Sequence, residues 1–219
     1  MKIKTLGAMC KRAGDFRLYD QRNSEGSIVV QWLGDGGAIY PLHGLPRLGE
    51  EHIAAFFELT EKQLEKISVR HYEELPEKLN FDDYDPAEVA LDDREMTLAY
   101  GKYIVKPLIT RDGLELINNE YMTPLADVAD HLMIHERKTE GGQTYFAVKM
   151  GLMLVGLVMP LNLIEDQFVE NVEGLAVKAR AALIVKRERE ERQQREALSG
   201  QMELEEVGFN EGSGASGSS

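Results

Sequence analysis

The chain has 219 residues, 43 % hydrophobic and 29 % charged, with a formal net charge of −13. That length and balance suit a globular chain able to bury a core and exclude fibrous or low-complexity classes, and the negative charge disfavours direct nucleic-acid binding. The single cysteine, Cys10, excludes an intrachain disulfide, and the longest apolar run, residues 152–159, is too short to cross a bilayer.

Residues 4–13 are predicted helical, with Leu6, Met9 and Cys10 on one side and Gly14-Asp15 as the stop. Residues 16–20 alternate as a strand, Asn23-Ser24-Glu25-Gly26 is a turn, and 28–33 is a second strand. Gly34-Asp35-Gly36-Gly37 leads into a short third strand at 38–42, where Pro41 must sit at an edge or strand end. Residues 49–67 read as one helix with the stripe Ile53, Phe56, Phe57, Leu64 and Ile67, followed by a short strand at 69–72. Residues 74–95 are rich in Pro, Asp and Glu and read as a surface linker. Strands return at 97–100, 103–110 and 114–117, with Arg111-Asp112-Gly113 as a hairpin turn. Thr123 as N-cap and Pro124 at the first position predict a short helix to about residue 130. Strands at 132–137, 145–150 and 152–159 follow, then one long helix over 163–198 whose second half is almost purely charged. Residues 212–219 are Gly, Ser and Ala only and read as a flexible tail or appended linker.

The order helix, three strands, helix occurs twice, with a Pro-Leu pair (Pro41-Leu42, Pro160-Leu161) closing each third strand. The expected fold is therefore α+β. Two similar helix–three-strand–helix units form antiparallel sheets packed on helices, and a long charged C-terminal helix follows. The expected divisions are a first unit (1–73), an acidic linker (74–95), a second unit (96–185), a charged helical extension (186–211) and the tail. Charge is uneven: residues 50–95 hold 15 acids and 5 bases, while 1–49 hold 7 bases and 4 acids.

Candidate chemistry is sparse. Asp127, Asp130, His131 and His135 are close in sequence, but on a strand the two histidines stand about 13 Å apart, which suits a polar junction better than a metal site. Asp82, Asp83, Asp85, Glu88, Asp92 and Asp93 offer oxygen ligands, yet no glycine lies among them for a calcium loop. They read as a solvated acidic surface and are the expected protein-binding residues. Gly34–Gly37 is followed by a strand rather than the helix a phosphate cradle needs. Cys10 lacks an assignable His and acid partner. Tyr19, Trp32 and Tyr40 read as core aromatics rather than a base-stacking platform. No catalytic residue, metal or cofactor is expected.

The stretches Gln31-Trp32-Leu33-Gly34-Asp35-Gly36-Gly37-Ala38-Ile39-Tyr40-Pro41-Leu42, Thr123-Pro124-Leu125-Ala126-Asp127-Val128 and Val155-Gly156-Leu157-Val158-Met159-Pro160 resemble a family of uncharacterised proteins from phages and prophages of gut bacteria. The likeness covers residues 1 to about 185. It implies a bacterial cytoplasm and a mobile-element context; the family carries no established activity, so no functional residue transfers. The single cysteine and the lack of an apolar leader also point to the cytoplasm. The leading expectation is a non-enzymatic accessory protein that binds another protein, with no membrane association and self-association left open. The alternatives are a replication or DNA-processing factor resembling a sliding clamp, and a metal-dependent enzyme. The acidic polar face of the 49–67 helix counts against the clamp, because clamps line their ring with basic helices.

Overall fold

The computed structural model describes residues 1–92 and 96–211, with side chains described to residue 196. Met1–Leu163 form one compact unit, and the chain from Ile164 onward forms a second. The class is α+β, as the sequence predicts.

The first unit opens with α1 (Ile3–Ala13), which ends where Gly14 turns left-handed at φ 72° and donates to the carbonyls of Cys10 and Lys11. Strands β1 (Asp15–Arg22), β2 (Ile28–Gly34) and β3 (Ala38–Pro41) follow. The predicted single helix at 49–67 is instead two short helices, α2 (Glu50–Phe56) and α3 (Glu61–Leu64). Glu58 takes a positive φ of 53° between them, and Thr60 caps the second. Only Ile53 and Phe57 of the predicted stripe are buried; Phe56 and Leu64 face solvent. Then come β4 (Ser68–Tyr72), β5 (Val89–Ala90), β6 (Leu98–Tyr100), β7 (Tyr103–Thr110) and β8 (Gly113–Asn118). The helix predicted from Thr123 is a longer 3₁₀ segment, Asn119–His131, capped by the Asn118 side chain, and Thr123 instead donates to the Glu120 carbonyl. Strands β9 (Leu132–Lys138), β10 (Thr144–Met150) and β11 (Met153–Val158) complete the unit.

Both three-strand runs lie in one eight-stranded sheet, ordered β4-β1-β2-β3-β11-β10-β9-β5. Outward from the antiparallel β3–β11 seam, the order is β3-β2-β1-β4 on one side and β11-β10-β9-β5 on the other. The β1–β4 pair is parallel. A separate three-stranded sheet, β6-β7-β8, carries the hairpin at Gly113.

Alternation gives the large sheet two apolar faces. On the first, Phe16, Leu18, Leu33, Tyr40, Ile134, Phe146 and Val148 pack with Leu6, Met9 and Cys10 of α1, with Ile53 and Phe57, and with Leu108 and Ile117 of the smaller sheet. Gly7 lets α1 come this close, because a Cβ there would stand 2.1 Å from the Phe57 ring. The second face presents Trp32, Ile39, Tyr145, Ala147, Leu154 and Leu157. No helix of the first unit covers it. Residues 73–88, which overlap the linker predicted over 74–95, cross it as a strap that contributes Leu75, Leu79 and Phe81.

Buried charges pin the strap. Arg137, with a fully buried side chain, donates from Nε and Nη2 to Glu88 Oε2 at 2.9 and 2.6 Å. Its Nη1 donates to the carbonyls of Asn80 and Asp82, both at 3.0 Å. Lys149 Nζ reaches Glu88 Oε1 at 2.6 Å. Asn80 N also donates to the Tyr145 hydroxyl, and Leu154 N donates to Asp83.

The second unit is α4 (Asp166–Glu211), the long helix predicted over 163–198, here extended to 46 residues. No helix among the described residues is long and apolar enough to cross a membrane.

Removing Glu88 leaves two buried cations unmatched. Glu88→Ala is expected to lower stability by about 3 kcal/mol in urea unfolding; a loss within experimental error contradicts the assigned role. Burial raises the Glu88 pKa, but hydrogen bonds from Lys149 and Arg137 outweigh it and hold the carboxyl below its ordinary 4.5. The stabilisation is thus complete above that value and is lost as pH falls through the lowered one. Trp32, the chain's one tryptophan, meets Phe81 of the strap edge-on at 4.9 Å. Its fluorescence is expected to change below pH 4.5 in the parent and already at neutral pH in Glu88→Ala.

Candidate functional site

A cleft between strap and sheet combines an apolar floor with positive charge. Odd-numbered positions of β1 point to the second face, which places Arg17 and Tyr19 there. Ile39 of β3 and Leu157 of β11 flank the central seam and make the floor, with Met159 just beyond β11. The strap supplies Lys78 and Leu79 from above. The cavity is about 230 Å³, and no carboxylate lines it.

Arg17 is held by a shared acid. Its Nε donates to Asp15 Oδ2 at 2.7 Å, and Arg70 Nη2 donates to the same oxygen at 2.6 Å. Burial raises the Asp15 pKa, but the hydrogen bonds from Arg70 and Arg17 prevail and keep the carboxyl below its ordinary value. Two guanidinium groups on one carboxylate leave net positive charge at the cleft. The Arg17 guanidinium lies against Gly36, whose φ is 90°. Tyr19 stacks on Tyr72, ring centroids 4.8 Å apart.

A second cavity, about 360 Å³, lies around Asp35, between Arg12 of α1, Lys102 and Tyr103, and Glu120 and Tyr121 of the 3₁₀ segment. Asp35 accepts from the backbone of Gly37 and Ala38 at 2.9 and 3.0 Å, so it ties its own hairpin turn. Burial pushes its carboxyl pKa up. Burial, with the nearby Asp35 charge, also pushes up the Tyr121 hydroxyl and the Cys10 thiol. Cys10 is fully buried, and a thiol held protonated is a poor nucleophile. Tyr40 donates to the Tyr121 carbonyl beneath it.

Several of the acidic residues singled out from the sequence have partners in the strap and sheet. The Glu88 side chain is 9 % exposed and spent on Arg137 and Lys149. Asp83 accepts from Leu154 N, and Asp85 accepts from Ala87 N and Asn80 Nδ2. Asp82 and Asp92 are exposed, and Asp93 lies outside the described residues. The Asp/His group is not brought together. Asp127 pairs with Lys2 at 2.8 Å, His131 is exposed at the end of the 3₁₀ segment, and His135 is half-buried on β9. Among the described residues, no three His, Cys, Asp or Glu side chains converge to hold a metal ion.

Arg17, Lys78, Arg137 and Lys149 escaped the sequence reading. Lys149, a cation on the largely apolar β10 and next to the buried Val148, was the available signal. Such a charge needs an acid from elsewhere, and the acid-rich 74–95 segment is the nearest large source. In comparisons with known proteins, no family model, curated protein or solved structure matches this chain.

A Cβ at Gly36 would meet Arg17 Cζ at 2.5 Å and would sit in a left-handed backbone. Gly36→Ala is expected to cost about 1–2 kcal/mol of unfolding free energy. An unchanged urea midpoint contradicts the close Arg17–Gly36 packing.

Proposed function

We propose that this protein is a non-enzymatic accessory protein of a phage or prophage, acting in the bacterial cytoplasm by protein–protein binding through the apolar half of α4. The exposure of that half carries the reading. Leu175 and Val177 are about two-thirds exposed, and Leu183, Ile184 and Val185 about half. Apolar area in water is unfavourable by about 25 cal/mol per Å², and a helix apolar on several sides belongs among other helices. At 3.6 residues per turn these positions point in several directions, so one seam cannot cover them.

The occupant we assign is the same helix from further copies of this chain, in a bundle of at least three. The following segment supports self-pairing. Lys186, Arg187, Arg189, Arg192 and Arg195 alternate with Glu188, Glu190, Glu191 and Glu196, so identical helices bring both signs to the contact. One such pair, Lys186–Glu190, already forms within the helix at 3.7 Å. Oligomerisation would present several copies of the α+β unit to a further protein. Internal duplication belongs to the same proposal. The matched order of three strands on either side of the seam, β3-β2-β1 and β11-β10-β9, supports it, because a two-fold axis perpendicular to a sheet requires an antiparallel central pair; the outer strands stand outside the match, since β4 pairs parallel and β5 antiparallel.

Sedimentation equilibrium of the full chain tests this. An oligomer of three or more copies is expected, and Leu175→Glu with Leu183→Glu should return it to a monomer with the tertiary signal of Trp32 unchanged. A parent chain that stays monomeric at micromolar concentration overturns the assignment. Turnover in hydrolase or nuclease assays that one point substitution abolishes would overturn the non-enzymatic reading.

A further inference from the structure

We propose that the cleft between the strap and the large sheet binds a small amphipathic anion: a single aromatic ring or short aliphatic group bearing a carboxylate or phosphate. Shape and chemistry agree on this class. The floor of Ile39, Leu157 and Met159 and the roof of Leu79 are apolar, and desolvating an apolar group there is favourable. The charged groups at the cleft are Arg17 and Lys78, and no acid lines it, in a chain whose net charge is −13. A free anion therefore meets attraction here that the acidic protein as a whole does not offer.

Arg17 is preset for the head group. Asp15 takes its Nε, and because Arg70 binds the same Asp15 oxygen, that acid's charge is already matched. The planar guanidinium is held in place by Gly36 beneath it and Asp15 beside it, which lowers the ordering cost of gripping a carboxylate or phosphate. Tyr19, fixed by its stack on Tyr72, makes a flat wall beside the cation. The cavity of about 230 Å³ falls below the range of roughly 300–1,000 Å³ for drug-sized ligands, so one ring with its head group is the size that fits. The strap roofing the cleft is pinned by Glu88, Arg137 and Lys149, so the site is preformed rather than closed by the ligand.

Isothermal titration of the full chain with phenyl phosphate and with benzoate, against inorganic phosphate and benzyl alcohol, separates the two requirements. At least one aromatic anion is expected to bind one-to-one and about tenfold more tightly than the anion without a ring or the ring without a charge. Whichever aromatic anion binds more tightly identifies the preferred head group. Lys78→Gln, on the exposed strap, and Arg17→Gln should each weaken binding by about fivefold or more. Lys4→Gln, on α1 against the opposite face of the sheet, should leave it unchanged. Amide shifts on ligand addition should centre on Ile39, Leu79 and Leu157. No saturable binding of either aromatic anion overturns the proposal, as do equal binding of the two controls, affinity unchanged in Lys78→Gln, or shifts confined to α4.

Discussion

Glu88 is one carboxylate shared by two buried cations, and the second face of the large sheet depends on where it sits. A sheet with two apolar faces needs two covers. The helices and the smaller sheet supply the first, while within the first unit a strap without regular structure of its own crosses the second. Leu75, Leu79 and Phe81 bury apolar area there, but burial is not directional and fits many placements. The hydrogen bonds from Arg137 and Lys149 are directional and define one. A buried ion pair adds little net stability over a hydrophobic substitute, so its contribution here is position. The cleft exists because the strap is held at that height.

The β3–β11 seam is the other constraint. Its register consists of Leu157 opposite Ile39 and Val158 opposite Ala38, extended by Met159 N donating to the Gly37 carbonyl at 2.8 Å. Gly156 admits the close approach, because a Cβ there would meet the Tyr40 ring of β3 at 2.9 Å. So short a seam unites eight strands because both faces are covered across it. Polar ties reinforce the edge: Asp20 accepts from Gln31 and pairs with His71, while Gln31 also holds both backbone groups of Leu48.

Much of this was legible in the sequence where structure is local. Alternation in Phe16-Arg17-Leu18-Tyr19-Asp20 places the strand and its two faces, and Gly26, Gly113, Gly142 and Gly151 all take the positive φ their turns need. Local pattern failed where partners are distant. Glu88 lies 49 residues from Arg137 and 61 from Lys149, so an acidic, proline-containing stretch read as solvated linker. The break at Glu58 escaped because the apolar stripe continues across it, whereas packing buries Ile53 and Phe57, half-buries Ile67 and leaves Phe56 and Leu64 exposed. Joining the two strand runs into one sheet was equally beyond reach, since backbone pairing at β3–β11 has no side-chain signature. The cleft inherits that limit: its lining residues come from five separate stretches of chain.

Native-state amide hydrogen exchange tests the central claim most directly. If the strap is part of the folded core, the amides of Asn80, Leu91 and Leu154, which donate to Tyr145, Ile134 and Asp83, exchange as slowly as neighbouring amides of β10. If residues 73–90 exchange at the rate of an unstructured chain while β10 stays protected, the strap is a linker after all and the preformed cleft is lost with it.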